Sequence, residues 1–326
     1  MSHLSKLIRF IPSILMTIAF SSGVAHAQSL TVYTAGPGSL IKQLTTGFQE
    51  KTGIKVDVFQ ATTGKVMARL EAEAANPRAD VLISASWDTA QDLDRRGWLA
   101  PHESANAAKV PAQFKSPDYV AQGISALGII WNTQSGTPEP KDWKDLTAPA
   151  FKQKVTMPDP ALSGASLDLL LGLQDAQHEG AWQLLEKLRD NGMSVSGPNA
   201  QALTPVLQGA KSAVFGGVDY VTYGSIAKGE SVKVIFPSSG TAIAPRPMMI
   251  LKSSKHLDAA RKFIDYVLSE EGQRAVSNAW LMPARADIGA KRPLFKDIKV
   301  LPQANDGSGA ARSETLQRFN TLFAKP

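Results

Sequence analysis

The sequence predicts an α/β protein of two lobes. Each lobe is expected to be a doubly wound, mainly parallel sheet flanked by helices, with a hinge and a cleft between the lobes. β-rich runs alternate with helical patterns from residue 30 to about residue 100, which is typical of parallel sheets. A long apolar run at 119–131 leaves that region, and a second mixed region follows it. The hydrophobic fraction of 43% over 326 residues is sufficient for two medium-sized cores.

Three strand–helix units predict the first lobe. Their strands lie at 30–34, 55–60 and 79–84, and each ends in a loop, at 34–39, 61–64 and 84–88. Ser39 is predicted to cap the first helix, and a second helix is expected from about Lys65 to Ala75. Doubly wound sheets bind ligands at the carboxyl ends of their strands. We therefore expect the ligand site at these three loops.

The second lobe is expected after the Pro-rich stretch 137–140. Its predicted elements are a strand at 155–157, a loop at 159–166, helices from about 167, at 179–191 and at 200–209, a strand at 213–215, a loop at 216–220 and a strand at 232–236. The chain then returns through 248–251 to an amphipathic helix at 258–268 that packs on the first lobe. We therefore predict lobe 1 at 28–125, lobe 2 at 126–243, and a return to lobe 1 with C-terminal helices at 244–326. Hinges are expected near 125–131 and 241–248.

The first 27 residues have the pattern of a secretory signal peptide. Lys6 and Arg9 precede the apolar run 10–20, and small residues at 25–27 end it. That run is about half of the ~20 residues that a membrane-spanning helix needs, so we expect cleavage after Ala27 rather than a retained anchor. The chain has no Cys, which excludes a lipid-modified cysteine, disulfides and thiolate metal sites. We therefore expect a free periplasmic protein.

Charge and motifs favour a binding protein over other classes. The formal charge of +6 falls to +4 without Lys6 and Arg9, and this excess either favours anionic ligands weakly or is an ordinary solvated surface. No Lys/Arg-rich run indicates a nucleic-acid partner. No Gly-x-Ser-x-Gly or His-Glu-x-x-His motif occurs, so a periplasmic hydrolase is a remote alternative. We expect a monomer without catalytic activity, metal or cofactor.

Four segments carry a resemblance to a known family. They are 30–36 (LTVYTAG), 76–81 (NPRADV), Asp159-Pro160 with Ser163-Gly164, and 260–273 (ARKFIDYVLSEEGQ). Each is similar to the corresponding segment of the class II periplasmic binding proteins of ferric-iron and phosphonate ABC importers. The resemblance implies the type II periplasmic binding fold. It also implies a receptor that closes its lobes on a small ligand and delivers it to an ABC permease in the inner membrane.

The run 240–254 (GTAIAPRPMMILKSS) is most similar to the 2-aminoethylphosphonate-binding branch of this family. The iron branch typically supplies adjacent tyrosines, a His and a carboxylate, since ferric iron needs hard oxygen donors. Here Tyr220 and Tyr223 are not adjacent, and 36–39 (GPGS) stands in place of the His. The resemblance therefore implies a small phosphonate or phosphate-bearing anion, with 2-aminoethylphosphonate as the best candidate. Ferric iron and a sugar phosphate are the alternatives.

Donor groups at predicted helix starts form most of the candidate site. Helix N-termini that follow Gly and Ser supply N–H and O–H donors and a favourable dipole for a phosphonate group. Taken singly, each is also explained as an ordinary N-cap. Ser86 is a further donor after the third strand, next to Trp87, which is either a wall of the site or core. The candidates at helix starts are Ser39, Thr63, Gly64, Ser163, Gly164, Ala165 and Ser166.

Asp219, Tyr220 and Arg246 complete the predicted site. Asp219 and Tyr220 follow a predicted strand, where a carboxylate and a phenol could hold an amine. The resemblance places ligand groups in this region, although an Asp there is otherwise a turn residue. Arg246 lies between two prolines that stiffen the chain where it crosses between lobes. Its planar guanidinium suits an oxyanion, and the alternative is a hinge or surface role.

Overall fold

The structure is a computed structural model that describes residues 29–302 and 309–324. The predicted signal peptide at 1–27 lies outside the described residues. None of the helices within the described ranges has the length and apolar character that crossing a membrane requires.

The described residues form strands and helices in alternation. The strands are β1 (Ser29–Thr34), β2 (Lys55–Gln60), β3 (Val81–Ile83), β4 (Leu99–Ala100), β5 (Tyr119–Asn132), β6 (Val155–Met157), β7 (Ser194–Val195), β8 (Ala213–Val218), β9 (Val232–Ile235), β10 (Ile243–Leu251) and β11 (Met282–Pro283). The helices are α1 (Gly38–Thr52), α2 (Thr63–Ala72), α3 (Trp87–Arg95), α4 (Gly164–Gln177), α5 (Glu179–Asp190), α6 (Asn199–Leu207), α7 (Asp219–Ile226), α8 (Leu257–Val267), α9 (Glu270–Asn278) and α10 (Gly309–Phe323).

The first lobe is built on the strand order β2-β1-β3-β10-β5. β1 is parallel to β2 and β3, whereas β10 runs antiparallel to β3 and β5. Leu30 and Val32 of β1 are fully buried beneath Phe48 of α1 and Phe263 of α8, in one apolar cluster. The rings of Phe48 and Phe263 pack edge to face at 5.2 Å. Burial of this area stabilises the lobe, and each such side chain contributes about 1.5–3 kcal/mol.

The second lobe is built on β8, β6 and β7, which follow β5 in the sheet order. β6 is parallel to β7 and β8, and β8 and β9 are antiparallel to β5. Trp143 and Phe215 pack at 4.7 Å in a second apolar cluster. Phe319 of α10 is buried in the same cluster, so the C-terminal helix packs on the second lobe.

β5 passes from one lobe to the other. Its residues up to Ala126 pair with β10, and from Leu127 onward they pair with β8 and β9. The fold is therefore the expected pair of α/β lobes, joined by crossing strands. The predicted limits of the lobes, at 28–125, 126–243 and 244–326, stay a prediction.

Three local predictions were wrong. Ser39 does not cap α1, because Pro37 precedes the helix in an extended conformation and Gly38 begins it. The predicted loop 216–220 does not exist, because β8 keeps its pairing with β5 as far as Val218 and α7 begins at Asp219. α4 begins at Gly164 rather than near residue 167, with Ser163 as its cap. In the second case the Gly-Gly pair marks a register shift within the β5–β8 pairing, where Gly216 has a φ of 71°, rather than the end of β8.

Candidate ligand site between the lobes

The loops that follow β1, β2 and β3 meet at one edge of the sheet. The Ala61 N–H donates to the Thr34 carbonyl at 3.1 Å, and the Ala35 N–H donates to the Ile83 carbonyl at 2.9 Å. Arg246 of β10 reaches the same edge, where its Nη2 donates to the Ala35 carbonyl at 2.6 Å. The expected meeting of strand ends is present, and β10 adds a cation to it.

Arg246 is a buried cation without an ion-pair partner among the described residues. Its side chain is 1% exposed, and its Nε is buried without a hydrogen-bond partner. No carboxylate of residues 29–302 or 309–324 lies within ion-pair distance of this guanidinium. Burial lowers the pKa of Arg246, although the fields of Tyr220 and Asp168 partly offset this effect. An unpaired buried charge is costly, so a bound anion would be strongly favoured here.

Tyr220 lies beside this guanidinium. The centroid of its ring is 5.8 Å from the guanidinium carbon of Arg246, and the tyrosine is half-buried. Thr62 follows β2 at the same edge, and its Oγ1 is buried without a hydrogen-bond partner among the described residues. It precedes α2 by one residue and so belongs to the same predicted donor group as Thr63 and Gly64.

The start of α4 offers backbone donors rather than hydroxyls. Ser163 Oγ accepts from the Ser166 N–H at 3.2 Å and donates to Asn199 Oδ1 at 2.9 Å. Ser166 Oγ donates to the Pro158 carbonyl at 2.9 Å. Both hydroxyls are therefore engaged within the protein. An α-helix cannot satisfy its first N–H groups internally, so those of Gly164 and Ala165 remain for a ligand.

Two glycines allow the lobes to touch. A Cβ added to Gly164 of the second lobe would lie 3.0 Å from Ser86 Cβ and 3.1 Å from Thr63 Oγ1 of the first. A Cβ added to Gly64 would lie 3.0 Å from the Ala161 carbonyl. Four predicted site residues thus meet across the cleft, and the protein is in a closed form.

Ser86 is committed to contacts between the lobes. Its Oγ donates to Asp168 Oδ1 at 2.7 Å and accepts from Arg312 Nη1 at 3.1 Å, and the residue is fully buried. Trp87 is half-buried and packs against Tyr119 at 5.0 Å, with the two rings nearly perpendicular. The indole therefore belongs largely to the core of the first lobe, although it also lines an interlobe cavity of about 150 Å³.

Asp219 is occupied by protein partners. It forms a fully buried ion pair with Arg292 and accepts from the Ala126 N–H at 2.8 Å and the Tyr220 N–H at 2.7 Å. Burial raises the pKa of Asp219, while Arg292 opposes that shift. A ligand amine would have to compete with the Arg292 guanidinium for this carboxylate. Arg292 is 73 residues away in sequence, and no local pattern indicated it.

Ser39 is exposed in the first turn of α1, which follows the carboxyl end of β1. Of the predicted candidates, Arg246 and Tyr220 lie together, and Thr63, Gly64, Ser86 and Gly164 lie at the contact between lobes. The direct ligand contacts of all these residues stay a prediction.

The two tyrosines of α7 contact different arginines. In the described part of the chain, no group of three or more His, Asp or Glu residues is placed to hold a metal ion. Tyr223 stacks on Trp280 at 6.2 Å and lies beneath the Arg292 guanidinium at 5.0 Å. Tyr220 instead lies near Arg246.

Two α/β lobes that close over a cleft, with a buried arginine at the strand ends, define a solute-binding protein of the type II periplasmic fold. The family model described as bacterial extracellular solute-binding protein matches residues 76–305. This chain belongs to that family.

Curated relatives cover most of the chain. An uncharacterized protein of Haemophilus influenzae is 30% identical over 269 residues, which is 77% of this chain and 76% of the relative. A Salmonella typhimurium protein named "Putative 2-aminoethylphosphonate-binding periplasmic protein" is 26% identical over 292 residues, 85% of each chain. The Fe(3+)-binding periplasmic protein of Serratia marcescens is 26% identical over 302 residues, 88% of each chain.

Solved structures agree with the fold. The periplasmic binding protein P5PA superposes with a TM-score of 0.82 at 25% identity, over 90% of this chain and 99% of that one. AfuA from Actinobacillus pleuropneumoniae superposes with a TM-score of 0.83 at 20% identity, over 92% and 99%. The predicted family and fold class are confirmed.

Proposed function

We propose that this chain is the periplasmic receptor of an ABC importer, which binds a small anion with a phosphonate or phosphate group and delivers it to a permease. Arg246 is the observation that carries this proposal, since it is a buried cation at the strand ends and no carboxylate in the described part of the chain pairs with it. A planar guanidinium matches two oxygens of such a group in a bidentate, charge-assisted contact. Shape change of the lobes is sufficient for this role, and we propose a monomer without catalytic activity.

The proposed ligand within this class is 2-aminoethylphosphonate. The names of the Salmonella relatives support it. Its phosphonate would accept hydrogen bonds from Arg246 and from the N–H groups of Gly164 and Ala165. Its amine needs an acceptor, and Asp219 is already paired with Arg292. Asp168 suits the amine better, because its Oδ2 is buried without a partner and its charge already acts on Arg246.

Ferric iron is the second candidate, because the Serratia relative is named as an Fe(3+)-binding protein. The charge of the site argues against it. A trivalent cation placed near the buried Arg246 guanidinium would be repelled in an environment that screens charges poorly. A sugar phosphate is a further alternative, since its phosphate would satisfy Arg246 equally well.

Isothermal titration calorimetry distinguishes these ligands. Protein refolded from denaturant, and so free of co-purified ligand, would be titrated with 2-aminoethylphosphonate, fructose 6-phosphate, inorganic phosphate and ferric ion. We expect micromolar or tighter binding of 2-aminoethylphosphonate and weaker binding of the others. Binding of fructose 6-phosphate alone would change the ligand class to sugar phosphates. Binding of ferric ion alone would refute an anion site.

A matched pair of arginine variants tests the site itself. Arg246→Gln should weaken binding about 100-fold or more, because it removes two charge-assisted hydrogen bonds. Arg261→Gln is the control, since Arg261 is a partly exposed residue of α8 whose ion-pair partner in the described part of the chain is Asp258. Equal affinity of the two variants would reject Arg246 as the anion contact while leaving the family assignment intact.

A further inference from the structure

The C-terminal helix α10 is part of the second lobe. Phe319 is buried in the core of that lobe, and Thr315 Oγ1 donates to Gln174 Oε1 of α4 at 3.3 Å. Arg318 forms an ion pair with Glu179 at the start of α5. These contacts lie along one side of α10, and they fix its position on α4 and α5.

Arg312, in the first turn of α10, extends across the cleft to the first lobe. Its Nη1 lies 2.5 Å from Asp88 Oδ2 and 3.1 Å from Ser86 Oγ, both of the first lobe, and 3.4 Å from Asp168 Oδ1 of its own lobe. Ser86 Oγ in turn donates to Asp168 at 2.7 Å. We call these four residues the interlobe clasp. The three charged side chains are only 12–18% exposed, so their interactions are weakly screened.

Arg312 offsets the repulsion between the two carboxylates of the clasp. Asp88 and Asp168 are two carboxylates from opposite lobes that share this one guanidinium. Burial and then the charge of Asp88 raise the pKa of Asp168 to about 7, while Arg312 and Ser86 act in the opposite direction. The charge of Asp168 also acts on Arg246 of β10. Without Arg312, the two carboxylates would repel each other across the cleft.

We propose that Arg312 is a closure residue, which joins Asp88 of the first lobe to Asp168 of the second and stabilises the closed form before a ligand enters. This stabilisation does not depend on which ligand binds. Its consequence for the proposed anion site is slower ligand release, and this consequence alone rests on the proposed function. A ligand then supplies only the remainder of the free energy of closure.

Acidification should favour closure. In an open form Asp168 would be hydrated and its pKa close to the ordinary value, whereas in the closed form that pKa is raised. A state that raises the pKa of an acid binds its proton more tightly, and is therefore favoured as the pH falls. Protonation also removes the repulsion between Asp88 and Asp168 and leaves the contact of Arg312 with Asp88. Between pH 8 and pH 6, the ratio of closed to open protein should rise about tenfold.

Distance measurements on ligand-free protein test the clasp. The chain has no Cys, so spin labels on Gln43→Cys in α1 and Gln183→Cys in α5 report one distance between the lobes. In pulsed electron–electron double resonance, Arg312→Ala should lower the ratio of closed to open protein about tenfold at pH 7.5. Arg318→Ala is the matched control, since it removes an arginine from the same helix that contacts only the second lobe.

The outcomes are decisive without knowledge of the ligand. A longer distance in Arg312→Ala but not in Arg318→Ala supports the clasp. Identical distance distributions in both variants and the parent overturn it. Should Arg312→Ala fail to fold by circular dichroism, Asp88→Asn removes the same interlobe contact and should give the same shift. Asp168→Asn should abolish the pH dependence, and a dependence that persists in this variant contradicts the role given to Asp168. Failure of 2-aminoethylphosphonate to bind would leave these results unaffected.

Discussion

Replacement of Arg246 by Met should stabilise the ligand-free protein while it abolishes anion binding. The side chain is 1% exposed, makes one hydrogen bond through Nη2, and has an unpartnered Nε. Its loss removes a charge-assisted hydrogen bond worth about 1.5–3 kcal/mol. It also removes a desolvation penalty of several kcal/mol for an unpaired buried ion, and Met fills most of the volume. We therefore expect a net gain of about 1–3 kcal/mol in the free energy of unfolding.

Arg292→Met is the matched control for this prediction. Arg292 is equally buried, but it is paired with Asp219. Its removal leaves Asp219 as an uncompensated buried charge, which costs about 3–5 kcal/mol. Both variants replace a buried arginine by Met, yet the free energy of unfolding should rise in Arg246→Met and fall in Arg292→Met. Thermal and urea unfolding of ligand-free protein measures both, and calorimetry with 2-aminoethylphosphonate measures the loss of binding in Arg246→Met.

The result that would refute this reasoning is a lower melting temperature in Arg246→Met than in the parent protein. Such a result would mean that protein groups already balance the charge of the Arg246 guanidinium, which then needs no ligand anion. A gain of about 1 kcal/mol corresponds to roughly 2–4 °C in a domain of moderate size, which calorimetry resolves. Unchanged ligand affinity would separately reject the proposed role in binding.

Three further predictions concern other parts of the molecule. Gly164→Ala should weaken anion binding at least about tenfold with little change in melting temperature, because the new Cβ meets Ser86 across the cleft; Gly289→Ala, which has open space around it, should change neither quantity. Thr62→Val should leave the melting temperature unchanged or raised, because its buried hydroxyl has no partner to lose, and a clear decrease on thermal unfolding would contradict this. Burial is the main cause that raises the pKa to about 12 in three tyrosines, Tyr33, Tyr223 and Tyr266. Fewer than half of the five tyrosines should therefore ionise by pH 11 in an ultraviolet titration. The free energy of unfolding should fall as the pH rises above about 10.

Local patterns predicted most of the secondary structure. The bounds of β2 and β6 match the predicted runs 55–60 and 155–157, and the long run 119–131 is the crossing strand β5. These runs are β-rich, and residues that favour turns or loops flank them, so local and tertiary preferences agree. α7 could not be predicted, because its start depends on the pairing of β8 with β5, which shifts register near Gly216 and continues to Val218. That pairing joins residues about 90 positions apart and leaves no local pattern.

The candidate site, like the fold, could be predicted only in part. The loops at the strand ends and the start of α4 could be found from short-range patterns, since a strand followed by a helix fixes where their ends meet. Which charged side chains form ion pairs with each other could not be predicted from the sequence. For Arg246 a hinge or surface role was slightly favoured over anion binding, and Asp219 was assigned to an amine. The partner that changes the second interpretation, Arg292, is distant in sequence, as is Arg312, which contacts Asp88 across 224 positions.

Three arginines differ in their ionic partners, and this difference assigns one to the stability of the fold, one to lobe closure and one to ligand binding. Arg292 is paired within the fold, so its charge is balanced whether or not a ligand is present. Arg312 shares two carboxylates from opposite lobes, so its charge is balanced best when the lobes are closed. Within residues 29–302 and 309–324, Arg246 has no ion-pair partner in the closed form, so closure removes its hydration with only the more distant charge of Asp168 in compensation. An anion in the cleft adds to that compensation and a neutral solute does not. The free energy of closure therefore depends on the charge of the ligand, and selection for anions follows from the closing motion itself rather than from the fit of the cleft alone.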